Sequence, residues 1–254
     1  MGRNKEKRSK QATLVACFFT HFPLVQTAPT CYTGRVTFYF MNISWHGLSS
    51  FEITTKTPAG EVTLVTDPYV NETGLRFPRT LTADLVAVSH DEADANNTEA
   101  IQGKPFVVNT PGEYEVKGVF VYSISAPLAE KGMEDHRIFR FEIEGVHLAH
   151  LGALNRVLTD DELAELKNID ILMIPAGGGR VLSPKLASEV IEQLEPRVVI
   201  PMTHSVEGLK ENLGTADAFC KALGVCQRET TNKYKVTKRD LPEEDMLIMT
   251  LERA

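Results

Sequence analysis

The sequence predicts a mixed α/β fold, and three observations carry that prediction. Short β-rich runs separated by glycine and proline fill residues 41–89. Beyond residue 150 the pattern changes to helix-start signals alternating with short apolar runs. The 254 residues are 43% hydrophobic and 24% charged, the balance of a globular chain long enough to bury a sizeable core.

In order, Asn42–Trp45, Ser50–Thr54 and Val62–Thr66 are β-rich runs split by Gly47 and by Pro58-Ala-Gly60. Asp84–Ser89 is mostly apolar, as a strand buried on both faces should be. Gly118–Ile124, Arg137–Ile143 and Val146–His150 follow. In the middle one, Arg140 and Glu142 interrupt the apolar residues and suggest one solvated face. Thr159-Asp-Asp-Glu162 is a capping box, in which hydroxyl and carboxylate each satisfy a free N–H at a helix start. Asp170–Pro175 is then a buried-type strand. Ser183-Pro184 pairs an N-cap with proline at the first helical position. Leu186, Val190, Ile191 and Leu194 give that helix one apolar stripe, and Glu195-Pro196 stops it. Arg197–Pro201 is a strand, Thr215–Leu223 a helix ending at Gly224, and Met246–Leu251 a last strand.

Residues 1–40 read differently from 41–254. They hold six Lys/Arg against Glu6, a net of +5, while the remaining 21 basic and 33 acidic residues give −12. The basic start and the run Leu14–Phe19 resemble a weak signal segment, but the run is far short of the ~20 residues of a membrane span. The expectation is an extension outside the fold, or residues upstream of a natural start at Met41, followed by one α/β domain over 41–254. Cys17, Cys31, Cys220 and Cys226 contain no metal or disulfide-framework spacing, so a reducing cytoplasm is expected. Export or anchoring through residues 1–40 is the alternative. The net charge of −7 gives no reason to expect nucleic acid, and no membrane partner is expected. A small molecule of unknown identity and self-association remain open.

The loop Val88–Asn97 reads Val-Ser-His-Asp-Glu-Ala-Asp-Ala-Asn-Asn and holds four metal-capable side chains, His90, Asp91, Glu92 and Asp94. Around it lie Gly47–Phe51, Thr66-Asp-Pro68, Pro111–Val116, His150-Leu-Gly152, Leu172–Pro175 with Gly177-Gly178, and Glu195–Met202. In their order these segments resemble the Zn-dependent hydrolases of the metallo-β-lactamase fold, in the branch similar to ascorbate-phosphate lactonases. The resemblance covers almost all of 41–254. It implies a four-layer αβ/βα sandwich with a dinuclear zinc site at one edge between the two sheets.

The same resemblance puts the chemistry in question. The family's first loop supplies His, His, Asp and His, where this chain has His90, Glu92, Asp94 and Ala95. The next family histidine falls at Leu128, the bridging aspartate at Ala153, and the last histidine at Thr203, with His204 one residue late. Two of seven ligand types, His90 and Asp94, stand in place. A catalytic zinc takes about three N, O or S ligands near 2 Å and an open position for water, and alanine and leucine supply none. One expectation is therefore a degenerate member, non-catalytic or weakly active, with no metal or a weakly held divalent ion. The other is a hydrolase with a rebuilt mononuclear site of His90, Glu92, Asp94 and His204, with Asp94 as the catalytic candidate. That set is rich in oxygen and suits Mn²⁺ or Fe²⁺ better than tight zinc. Each of the four also has a bland reading as a solvated or loop-bracing side chain. His46 and His150 read as structural, Asp67 as a brace for the loop, and Gly177-Gly-Gly179 as a turn.

Overall fold

Alternating apolar residues at Ile43, Trp45, Phe51, Ile53 and Leu64 turn one face of an antiparallel meander inward. The meander is β1 (Met41–Gly47), β2 (Ser50–Thr57) and β3 (Gly60–Thr66). The computed structural model describes residues 39–129, 135–224 and 228–254. The expectations for residues 1–38 and for Cys226 lie outside these. β3 continues in parallel register to β4 (Leu85–Ala87) and β5 (Phe106–Val108). β13 (Tyr234–Val236) closes the other edge against β1, giving the sheet order β13-β1-β2-β3-β4-β5.

The second sheet begins as an antiparallel run of β6 (Gly112–Val116), β7 (Val119–Ser125), β8 (Arg137–Ile143) and β9 (Val146–His150). It then becomes parallel through β10 (Ile171–Pro175), β11 (Val198–Met202), β14 (Leu247–Leu251) and β12 (Arg228–Thr231). Parallel neighbours need crossovers; β12 returns to β14 through β13, and the other crossovers of this sheet run through the helices. They are α1 (Asp160–Glu165), α2 (Pro184–Leu194) and α3 (Ala216–Leu223). Phe139, Phe141, Leu148, Met173 and Ile200 meet the first sheet's apolar face in the central core. On the other face, Leu172, Ile174, Val199 and Ile248 pack against Ala187, Val190, Ile191 and Phe219 of the helices.

The expected mixed α/β architecture is present, with three differences of detail, the first of them from the expected four layers. All three α-helices among the described residues cover the second sheet. The outer face of the first is covered by loop residues Tyr69, Leu75, Phe77, Leu81 and Ile101 with 3₁₀ turns at Asn71–Thr73 and Thr98–Ala100. Pro68, Gly74, Pro78, Gly103 and Pro105 punctuate that stretch and leave no room for a long amphipathic run. Strands β5, β6, β12 and β13 were not expected; they are three to five residues long and sit at or next to sheet edges. Arg140 and Glu142 on β8 are half-buried rather than solvated. Among the described residues no helix is long and apolar enough to cross a membrane.

The capping box at α1 forms as its residues require. Glu162 N–H donates to Thr159 Oγ1 at 3.3 Å, and Thr159 N–H donates to Glu162 Oε2 at 2.9 Å. Arg156 adds a fork onto the same carboxylate at 2.9 and 2.6 Å. Burial alone would raise the Glu162 pKa, but the Arg156 fork and the Thr159 bonds outweigh it and leave it lowered. A carboxylate lowered in the folded state adds stability above its ordinary value of 4.5, lost as pH falls through the folded value. Glu162→Gln is expected to cost about 1–2 kcal/mol at neutral pH. Denaturant unfolding of parent and variant at several pH values checks this, and the deficit should shrink below pH 4.5.

Candidate functional site

The carboxyl ends of the parallel strands in both sheets meet at one edge, the usual place for a site in such sheets. Asp67 follows β3, Ser89 and His90 follow β4, Gly152 and Ala153 follow β9, Gly177–Arg180 follow β10, and Thr203 and His204 follow β11. Asp67 is fully buried at φ 39°, a left-handed conformation that aspartate tolerates. Its Oδ1 accepts Ser89 N–H and its Oδ2 accepts the Ser89 hydroxyl, both at 2.7 Å. Asp67 does brace the loop, as the sequence suggested.

That brace determines the protonation of His90. A carboxylate only accepts, so Ser89 spends its proton on Asp67 and its oxygen accepts from His90 Nδ1 at 2.8 Å. The other ring nitrogen faces Asp94 Oδ1 at 3.1 Å, again an acceptor. With an acceptor facing each nitrogen, the geometry favours the doubly protonated ring of His90. Burial pulls its pKa down, but the Asp94 carboxylate, helped by Asp67, outweighs burial and raises it. Asp94 shows the converse: burial would raise its pKa, but His90 and Arg180 hold it far below the usual carboxylate range. Ser89, His90 and Asp94 have the connectivity of a nucleophile, base and orienting acid. Ser89 is 0% exposed and its proton is held by Asp67, so the hydroxyl cannot reach a substrate.

The second cation is Arg180. The backbone turns sharply at Gly178 (φ 68°) and Gly179 (φ 66°), and Gly178 N–H closes the turn on Leu182 O at 3.0 Å. The turn expected at Gly177-Gly-Gly179 is thus the device that delivers Arg180. Its Nη2 donates to Asp94 Oδ2 and its Nε to Glu211 Oε1 at 2.8 Å. Burial works against the guanidinium charge, but Asp94 and Glu211 outweigh it and raise the pKa. Charge alternates along one line: Asp67, His90, Asp94, Arg180, Glu211.

His136 completes the site. Its ring centroid lies 5.9 Å from that of His90. Nδ1 donates to Ala126 O at 2.8 Å, so Nε2 accepts Ala153 N–H at 3.0 Å. Burial, with the neighbouring cations, pushes its pKa down to about 3, and the ring is neutral. His150 is also buried and fixed: Nε2 donates to Ser49 O at 2.8 Å and Nδ1 accepts Gly152 N–H at 3.3 Å. His46 is buried against Phe77, with Nε2 3.4 Å from Glu52.

Of the residues singled out from the sequence, the fold brings His90, Glu92 and Asp94 together. One ligand atom from each lies within 4.8 Å of the others. His204 is outside that group; its ring lies 4.7 Å from Trp45, and Thr203 before it sits at φ 48°. Leu128 belongs to the apolar layer with Leu151, Leu154 and Leu158, and His136 is the side chain that reaches His90 instead. Ala95 is buried. Sequence reasoning missed Arg180, Glu211 and His136. The triple glycine before Arg180 was the one local signal.

These donors do not fit a dinuclear metal centre. To ligate through Nε2, His90 must turn away from the Asp94 oxygen it faces, and Asp94 carries partners on both oxygens. His136 Nε2 is spent on a backbone N–H, and Ala95 and Ala153 carry no donor. A guanidinium already supplies positive charge beside Asp94.

Comparisons place the fold in a family. The sequence pattern described as "Beta-lactamase superfamily domain" matches residues 42–203. The chain belongs to this superfamily. A solved Zn-dependent hydrolase of the metallo-β-lactamase superfamily from Thermotoga maritima is 31% identical, with a TM-score of 0.67 over 84% of this chain and 100% of that one. A UPF0173 metal-dependent hydrolase of Thermococcus onnurineus is 26% identical over 65% of this chain and 85% of its own length. A metallo hydrolase from Ignicoccus hospitalis shares the fold at 15% identity and a TM-score of 0.55, covering 73% of this chain and 91% of that one.

Gly152, at φ 55°, is required where the two halves of the site touch. A Cβ there would lie 2.6 Å from both His136 Nε2 and Ser89 Cβ. Gly152→Ala is expected to destabilise by about 2–4 kcal/mol, combining backbone strain and overpacking. Thermal unfolding checks this, with an expected fall in Tm of about 5 °C or more.

Proposed function

We propose that this superfamily member keeps the fold of the metal-dependent hydrolases without their dinuclear chemistry, and acts by binding rather than by hydrolysis. The observation that carries the reading is the Arg180 guanidinium on Asp94, one of the two ligand-type residues that persist. A metal-centred hydrolase needs lone pairs turned toward an ion and an open position for water. Here those lone pairs face protons of His90 and Arg180. Within the superfamily we place the chain beside the ascorbate-phosphate lactonase-like branch, on the ordered segments from Gly47 to Met202. A cytoplasmic setting belongs to the same proposal.

The binding surface we favour is a polar cleft of about 360 Å³ on the flank of the His90 loop. Asp91, Asn96, Thr98, Asn109, Asp135 and Arg137 line it. Arg137 is held in place by a bond from its Nε to Val88 O at 3.2 Å. Amides, hydroxyls and both signs of charge on one wall suit a small, polar, hydroxylated molecule better than an apolar one.

A second reading has a specific observation behind it. His90, Glu92 and Asp94 can approach one point, and with water they would hold a single Mn²⁺ or Fe²⁺. His204 takes no part in that version. Elemental analysis of the purified full chain separates the two readings. We expect well under one transition metal per chain, and no hydrolysis of lactone or phosphodiester probes on adding Zn²⁺ or Mn²⁺. Stoichiometric metal with metal-dependent turnover would establish the second reading instead.

A further inference from the structure

Arg180 does more than pair with an acid. Its guanidinium lies between Asp94 and Glu211, carboxylates from two separate segments, and reaches Asp94 across 86 positions of sequence. The triple glycine permits this: a Cβ on Gly177 would lie 2.3 Å from Thr203 O. The loop therefore runs against the end of β11 and turns its arginine back toward the His90 loop. Asp94 remains mostly buried, with its side chain 13% exposed, and a buried carboxylate needs a cation beside it. The family resemblance implies a metal ion in that place. In this chain the cation is a side chain.

We propose that Arg180 is a tethered internal cation that closes a latent mononuclear metal site at His90, Glu92 and Asp94. The proposal rests on the reading that the parent protein does not hold metal tightly. Two features make the site latent rather than lost. The three ligand atoms lie within 4.8 Å of one another, close enough to share one ion after small rotations. Their loop is fixed without any metal, through Asp67 and Ser89 behind it and through Val70 N–H to Ala93 O at 2.9 Å. Removing Arg180 takes positive charge from between Asp94 and Glu211 and frees one Asp94 oxygen. A divalent cation is the natural replacement. Glu92 is exposed and leaves the approach open to solvent.

The test is calorimetric titration of the full chain with Zn²⁺ and separately with Mn²⁺, after confirming the fold by circular dichroism. Arg180→Ala is expected to gain one-to-one binding at least about tenfold tighter than the parent. Arg180→Gln removes the charge while keeping a hydrogen-bond donor, and carries the same expectation if the alanine variant does not fold. Arg180→Lys keeps the charge and should stay with the parent. The gain should vanish in Arg180→Ala/Asp94→Asn. A folded Arg180→Ala or Arg180→Gln variant no tighter than a weakly binding parent overturns this proposal and leaves the preceding reading intact. A gain in Arg180→Lys equal to that in Arg180→Ala overturns the role of charge. A gain that survives Asp94→Asn places the ion elsewhere and overturns the site. A parent that already binds tightly overturns both readings.

Discussion

The buried Asp67 carboxylate is the constraint on which the rest of the site depends. A carboxylate removed from water must be met by donors, and Ser89 meets it twice. That commitment fixes the direction of every later bond. Ser89 has no proton left for His90, so His90 donates; Asp94 accepts from it; Arg180 donates to Asp94 and to Glu211. The line of acceptors and donors carries alternating charge from the buried Asp67 to the partly exposed Glu211. Such lines are expensive to break at one point, because each member is the partner that justifies burying the next.

The same line explains how the fold tolerates the substitutions around it. At three of the positions where the family resemblance would place metal ligands, the structure has buried apolar side chains: Ala95, Leu128 and Ala153. Leu128 extends the apolar layer and Ala95 is buried. The Ala153 backbone is held by His136, which also keeps the β9 turn beside the His90 loop. Contacts that a metal could have provided between the two sheets are made by hydrogen bonds, including Arg137 N–H to Ser89 O at 2.8 Å. In this structure hydrogen bonds join the two sheets at this edge.

Much of the fold was legible because its signals are local. The capping box at Thr159, the Ser183-Pro184 start and the apolar run around Leu85–Ala87 each specify their element within a few residues. Strands β5, β6, β12 and β13 were not legible, since three to five residues at or near an edge carry too little periodicity. The site divides in the same way. His90, Glu92 and Asp94 fall within five residues and could be grouped by reading. Arg180 lies 86 positions from Asp94, and Glu211 a further 31. No property of either residue type marks that pairing in one sequence. His136 was missed for a related reason: a lone histidine before a strand announces neither its burial nor its backbone partners.

The arginine that closes the line has a consequence for how this protein meets its surroundings. A fold whose buried acid is balanced by a bound ion has a stability that rises and falls with the free concentration of that ion. Arg180 is part of the chain and is present at a fixed effective concentration whatever the solution contains. If Arg180 takes the place of an ion as proposed, the folded state is uncoupled from metal supply at this site.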